Sequence, residues 1–185
     1  MKISPELARI HAHLCGDGSV SVWKTKEKDR QFRGVIGYSN KNQRLLENFR
    51  KDFSMVFGVK MKMVAGREVS VKSLRIVKIL TEEFGSFGSR EWKIPRSIKE
   101  SNENTKLEWL KAFFEDEAYN EKKYDRLKTK SMNPSGLMDV KHMLDSLKIF
   151  SSLTGPNCDD SYYLTIPKFS SIEEFRGFIK EPIRK

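Results

Sequence analysis

Between residues 7 and 20 the chain reads LARIHAHLCGDGSV: an apolar helical stretch runs into Gly16-Asp17-Gly18 and then gives way to two-residue alternation. The alternation over residues 19–23, a polar and basic turn over 24–30, and renewed alternation over 31–38 predict a β-hairpin. Asn40 is expected to cap the next helix, in which Leu45, Leu46, Phe49, Phe53 and Phe57 make one apolar stripe and Gly58 is the stop. A second hairpin follows, with Val59, Met61 and Met63 alternating with Lys60 and Lys62, a turn at Gly66, and Val69 and Val71 on the return strand. Ser73 caps a further helix to about residue 84, and the Gly85–Ser89 stretch breaks it.

The polar segment 90–105, with Pro95 inside it, reads as a linker, and beyond it the pattern repeats. Residues 106–117 form an apolar helix ending in acids, 126–132 a strand, and Asn133-Pro134 opens a helix carrying Met138, Met143, Leu144 and Leu147. Gly155 is expected to stop that helix, Asp159-Asp160 to turn the chain, and Tyr162, Leu164 and Ile166 to face inward on a strand. Ser171 then caps a last helix through residue 179. The order αββαββα thus occurs twice, over 1–89 and 106–185, with the first hairpin of the second copy compressed. An α+β fold of two related halves is the expectation.

Composition narrows the function. Of 185 residues 38% are hydrophobic and 32% charged, which is globular usage, and no apolar run approaches the ~20 residues that cross a bilayer. The opening MKISPEL lacks the apolar core of a signal peptide, so a soluble, intracellular protein of the cytoplasm or an organelle matrix is expected. Two cysteines, Cys15 and Cys158, fit a reducing compartment and supply neither a disulfide framework nor a zinc set. Lys and Arg number 35 against 25 for Asp and Glu, a net charge of +10. The basic residues fall in strand-like stretches, which points to a shaped surface for a polyanion.

The candidate chemistry lies at the helix ends. An anion at the carboxyl end of a helix is repelled by roughly 0.3–1 kcal/mol, and Asp17 stands at such a place, so a bound cation would supply its reason. Aligning the two copies puts Glu117 opposite Asp17. Ala8, Ala12 and Gly16 share one helix face, which lets another backbone approach closely; in the second helix Ala112 keeps the rule, flanked by Glu108 and Asp116. Packed on those faces, the helices bring Asp17 and Glu117 to one spot, where paired carboxylates need a cation. Magnesium, or manganese in its place, suits such oxygen donors, with Gly16 and Asp116 in the same metal site. His11, His13 and Cys15 read as packing: residues two apart on a helix diverge, and only His11 and Cys15 are four apart. Trp109 reads as core.

The stretches IHAHLCGDG and LKAFFEDEA resemble the two signature motifs of the single-chain LAGLIDADG homing endonucleases, and the repeated αββαββα order matches that family along nearly the whole chain. The resemblance implies that the final acids, Asp17 and Glu117, bind metal and act in catalysis, and that two antiparallel sheets form a saddle over double-stranded DNA. It further implies a monomeric endonuclease, free-standing or intron-encoded, that hydrolyses one phosphodiester per strand across the minor groove, leaving short 3′ overhangs. His11, His13 and Cys15 depart from the family pattern, Ala118 replaces the terminal glycine, and Asp116 replaces a small residue, which makes it the alternative to Glu117 as ligand. An RNA maturase with intron RNA as partner, or a catalytically silent DNA-binding protein of the same fold, is the alternative function.

Strand parity selects the DNA surface. With Val20 and Val22 turned to the core, Ser21, Trp23 and Thr25 face the other way, joined by Arg30, Gln31 and Arg33, with Val35 and Gly37. Lys60, Lys62, Arg67 and Lys72 serve the second hairpin. In the second copy the set is Arg126, Lys128 and Lys130, then Asn157, Ser161, Tyr163 and Thr165. A β-ribbon fits the major groove, where such side chains meet base edges or phosphates. Asn40 and Asn133 at the strand ends, with Lys93 and Lys180, are expected to order water near the acids.

Overall fold

Two copies of one arrangement make up the computed structural model of the chain, which describes residues 2–25, 32–124 and 126–167. The first is α1 (Pro5–Cys15), β1 (Gly18–Lys24), β2 (Phe32–Ser39), α2 (Gln43–Phe57), β3 (Lys62–Val64), β4 (Glu68–Lys72) and α3 (Leu74–Phe84). A short helix α4 (Arg96–Lys99) precedes the second copy: α5 (Glu103–Glu117), β5 (Ala118–Glu121), β6 (Arg126–Ser131), α6 (Pro134–Ser146), β7 (Ser152–Thr154) and β8 (Tyr162–Ile166). Each copy builds a four-stranded antiparallel sheet, in the orders β1-β2-β4-β3 and β5-β6-β8-β7. The expected helix at 171–179 lies outside the described residues, as do Arg30, Gln31 and Lys180. Among the described residues no helix is long and apolar enough to cross a membrane.

Local chemistry starts and stops these helices. Ser4 accepts from the Leu7 N–H at 3.3 Å and Pro5 takes the first turn of α1, where a missing N–H leaves no bond unmade. Ser73 caps α3 and Asn133 caps α6, both as expected, and Gly58 ends α2 in the left-handed conformation. Three boundaries differ from the sequence expectation. The cap of α2 is Asn42, whose side chain accepts from Arg44 N–H at 3.0 Å, because Asn40 is drawn into the protein centre. Gly155 does not end α6; the helix stops at Ser146 with Lys148 at φ 59°, and Gly155 sits in the β7–β8 loop. The linker segment 90–105 packs on the protein with Trp92, Ile94 and Ile98 buried, and α5 starts at Glu103 behind the Asn102 cap, earlier than the expected residue 106.

The sheets bury one face. Ile36, Tyr38 and Val69 from the first, and Leu127, Leu164 and Ile166 from the second, join the helices in a continuous core. Burying each of the larger aliphatic side chains contributes about 1.5–3 kcal/mol. Val20 packs on this core, whereas Val22 is 49% exposed: it shares the parity of Val20 but lies farther along the hairpin. The other sheet face carries the polar and basic side chains.

Candidate active site

Helices α1 and α5 meet on the small-residue faces. Ala12 and Ala112 are buried, and a β-carbon added to Gly16 would lie 3.0 Å from Asp116 Cβ, so the glycine is what allows this approach. Polar contacts cross the same seam. Arg9 Nη1 donates to Glu108 Oε2 at 2.6 Å, while its Nε and Nη2 clasp Asp52 of α2 at 2.7 and 2.8 Å. Trp109 Nε1 donates to His11 Nδ1 at 2.9 Å, which fixes His11 as the tautomer unprotonated at Nδ1, because an indole N–H only donates. His13 Nδ1 lies 2.8 Å from Asp116 Oδ2.

Asp116 is the centre of the arrangement. Its side chain is fully buried, and besides His13 it receives Tyr38 Oη–H at 2.6 Å and Asn40 Nδ2 at 3.3 Å. Asn40 Nδ2 also reaches Asp17 Oδ2 at 3.1 Å, and the Asn42 N–H donates to Asn40 Oδ1 at 2.9 Å, which settles the direction of the amide. One asparagine therefore links the acid after α1 to the acid one residue before the end of α5. Burial pulls His13 down, but Asp116, together with Glu115 and Asp52, outweighs it and holds the ring above its ordinary value. His11 is pushed by burial to about 3 and stays neutral. Burial, then Asp116 and Asp17, drives the Tyr38 hydroxyl up, so it stays a donor.

Asp17 and Glu117 are half-buried, at the carboxyl ends of α1 and α5. Glu117 lines a cavity of about 370 Å³ with Gly16, Cys15, Trp92, Lys130 and Asp159. Lys130 and Asp159 pair across it, and hydrogen bonds from Lys130 and Ser161 hold the Asp159 carboxyl at about 2. The remaining expected water-ordering residues sit elsewhere. Asn133 gives Nδ2 to the Trp92 carbonyl at 2.6 Å and takes the Gly136 N–H on Oδ1 at 3.0 Å, so both ends of its amide serve structure. Lys93 is exposed and lines a different groove, with Pro134 and Asp139.

The outer sheet faces follow from the registers. Opposite residues of antiparallel strands point to one side, which sets Trp23 beside Arg33, Ser21 beside Val35 and Lys72, and Lys62 beside Ser70. On the second sheet Lys128 stands between Tyr119 and Thr165, Lys130 beside Tyr163, and Arg126 beside Glu121, with which it pairs. Lys128 Nζ lies 3.9 Å from the Tyr163 ring centroid. Arg67 is in the β3–β4 turn and Lys60 just before β3, off the paired registers, and Thr25 follows β1. Asn157 lies in the β7–β8 loop with its amide on the Ser161 carbonyl, and Ser161 is buried, so only Tyr163 and Thr165 of that set share the outer face.

Sequence reasoning passed over Tyr38, Tyr119, Asp159 and the polar work of His13. Tyr38 has inward parity and reads as core; Asp116 was the available signal, since an acid on a close-packed helix face requires donors from its neighbours.

No family model matches the sequence, and no curated protein matches it. Solved structures do. A structure of mesophilic variants of the homing endonuclease I-DmoI superposes with a TM-score of 0.72 at 18% identity, covering 95% of this chain and 88% of that one. I-DmoI in complex with DNA and Mn gives 0.71 at 16% identity over 96% and 97% of the two chains. The N-terminal LAGLIDADG domain of DUF199/WhiA gives 0.55 at 11% identity over 98% and 86%. The order helix, hairpin, helix, hairpin occurring twice among the described residues, the seam of α1 and α5 and these superpositions agree, and the chain has the fold of the LAGLIDADG homing endonucleases.

Proposed function

We propose that this protein is a metal-dependent, site-specific endonuclease of double-stranded DNA that acts as a monomer and hydrolyses one phosphodiester on each strand. The observation that carries this reading is the Asn40 amide spanning Asp17 and Asp116, which brings the ends of both motif helices together. Solved structures of I-DmoI with its target DNA in the presence of Mn or Mg support a DNA partner and a divalent ion.

The residues fit such an ion. Asp17 and Glu117 offer hard oxygen donors, and Gly16 lines the cavity of Glu117. Among the described residues no group of three or more His, Cys, Asp and Glu forms a cage. Magnesium is commonly held by one or two carboxylates, its other positions going to water and substrate phosphate. A bound magnesium or manganese ion supplies Lewis acidity, polarising the phosphate and acidifying a water. Glu117 is the second ligand in this reading, and Asp116 is not, because three donors already occupy it.

The chain's own groups do the rest. Lys130, on the outer face of β6 and lining the cavity of Glu117, is placed to meet a phosphate near the acids. Its partnership with exposed Asp159 is of the kind that exchanges readily for a phosphate. Ser21, Trp23, Arg33, Lys62 and Lys72 on one sheet, and Arg126, Lys128, Tyr163 and Thr165 on the other, hold the duplex and read it, with Lys60 and Arg67 at the margin.

The test is incubation of the purified protein with randomised DNA duplexes and magnesium, followed by sequencing of the cut ends. The expected result is one preferred site cut on both strands with short 3′ overhangs. Cutting is lost in Asp17→Asn and Glu117→Gln while binding persists. A footprint without cutting under magnesium, manganese or cobalt overturns the reading in favour of a silent DNA-binding protein, and selective binding of structured RNA favours a maturase.

A further inference from the structure

The position of Asp116 calls for an explanation. It faces Gly16 across the seam of α1 and α5, close enough that a β-carbon on the glycine would lie 3.0 Å from Asp116 Cβ, and its side chain is buried with no access to water. Burial of a carboxylate is costly unless donors converge on it, and here three do, from three different elements or loops: His13 of α1, Tyr38 of β2 and Asn40 beyond β2.

Their geometry has a direction. Tyr38 has a single hydroxyl proton and gives it to Asp116 Oδ1, so its oxygen accepts from Asn40 Nδ2 at 3.3 Å. The Asn40 amide thus has Asp116 and Tyr38 on one side and Asp17 on the other, and the Asn42 N–H on Oδ1 prevents it from turning over. We infer that Asp116, with Tyr38 and His13, is a positioning residue: it aims the Asn40 amide at Asp17 Oδ2 and so sets how Asp17 presents its carboxylate to a divalent ion. The inference rests on the endonuclease reading of Asp17.

The device belongs to one half. Asn133, which stands at the end of β6 as Asn40 stands at the end of β2, gives its amide to the Trp92 carbonyl instead. Outer partners of this sort commonly change metal affinity by about 10–100-fold when removed.

The experiment measures Mn²⁺ binding by electron paramagnetic resonance to the full-length protein on its selected DNA duplex. The variants are Tyr38→Phe, which keeps the ring and removes the donor, and Asp116→Asn, with Asp17→Asn as the reference. DNA affinity and the unfolding midpoint of each variant are measured in parallel. Tyr38→Phe and Asp116→Asn are expected to weaken Mn²⁺ by about tenfold. Tyr38→Phe is also expected to keep DNA affinity within about twofold, and to recover cleavage at saturating Mn²⁺. Wild-type Mn²⁺ affinity in both variants overturns the inference, and so does a loss of Mn²⁺ affinity that only tracks lost stability or lost DNA binding. If the wild type itself takes up no Mn²⁺, or Asp17→Asn binds it equally well, the endonuclease reading falls first.

Discussion

His13 Nδ1 and Asp116 Oδ2 are 2.8 Å apart although 103 residues separate them in the chain, and the pair is sealed inside the seam of α1 and α5. Removing one member of a buried pair is far more damaging than replacing both, because the survivor stays desolvated and unanswered. His13→Leu leaves Asp116 without its cation and is expected to lower the unfolding free energy by about 3–5 kcal/mol. Asp116→Ala lets the imidazole turn neutral but strips the acceptor from the buried Tyr38 hydroxyl and from the Asn40 amide, and is expected to cost a similar amount. The double variant His13→Leu, Asp116→Ala is expected to be more stable than the sum of the two losses by at least about 1 kcal/mol. Urea unfolding of the four proteins measures this coupling; strict additivity contradicts a working pair.

The two buried histidines impose opposite pH dependences. His13 is held above its ordinary value of 6.5 by Asp116 against its own burial, so its contribution to stability is complete below about pH 6.5 and is lost as pH rises through its folded value. His11 is buried to about 3, so its contribution is complete above 6.5 and is lost as pH falls from there toward 3, by up to about 1.4 kcal/mol per pH unit. The contribution of the two histidines together is therefore expected to be greatest near pH 6.5. His11→Gln, which retains an acceptor for Trp109, flattens the acid side, and His13→Gln flattens the alkaline side. Denaturant midpoints between pH 4.5 and 8.5 test both; a His11→Gln difference that is constant with pH rules out the buried neutral ring.

Gly16 and Gly18 separate close packing from backbone exclusion. A β-carbon at Gly18 would meet Leu14 Cα at 2.5 Å and the His13 carbonyl at 2.8 Å, both main chain, whereas one at Gly16 meets Asp116 side-chain atoms at 3.0 and 3.1 Å. Both alanine variants are expected to destabilise, within the range of about 1–3 kcal/mol for overpacking, with Gly18→Ala the worse. Ala118, in the place of Gly18 in the second copy, is extended at φ −90° and ψ 150° and fully buried, so that half accepts a methyl group. Thermal unfolding ranks the variants, and a Gly16→Ala loss larger than that of Gly18→Ala contradicts the ordering.

What the sequence discloses follows the range of the interaction. Ser73, Asn133 and Gly58 were legible because a cap is made within a few residues. Asn40 and Asn42 lie in one polar stretch, and what separates them is Asp116, 76 residues away from Asn40. Strand parity placed Lys128 and Arg33 on the outer faces, since a sheet with one buried face has one register, but parity gives the side of Val22 and not its depth. In the segment 90–105 the composition is polar on average, while Trp92 and Ile98, sparse in sequence, are what the core uses. The two motif acids were legible as helix endings; that Asp116 is an inward-facing hub became visible only through Tyr38 and His13.

Lys128 offers the sharpest test of the proposed DNA surface. It stands in the middle strand pair of the second sheet, between Tyr119 and Thr165, with its ammonium 3.9 Å from the Tyr163 ring centroid. The ring fixes where the charge is presented without neutralising it, unlike Glu121 beside Arg126 or Asp159 beside Lys130. If a phosphate lies over this row, Lys128→Ala releases about one fewer counterion on binding, and the slope of log affinity against log salt becomes shallower by about 0.9. The loss of affinity should be nearly the same on selected and unrelated duplexes, because phosphate contacts carry no sequence information. Tyr163→Leu removes the platform and keeps the charge, so the slope is expected to stay and affinity to fall modestly. Equilibrium binding between 50 and 300 mM salt distinguishes the two, and an unchanged slope in Lys128→Ala shows that this lysine neutralises no phosphate and that the duplex does not lie across β6.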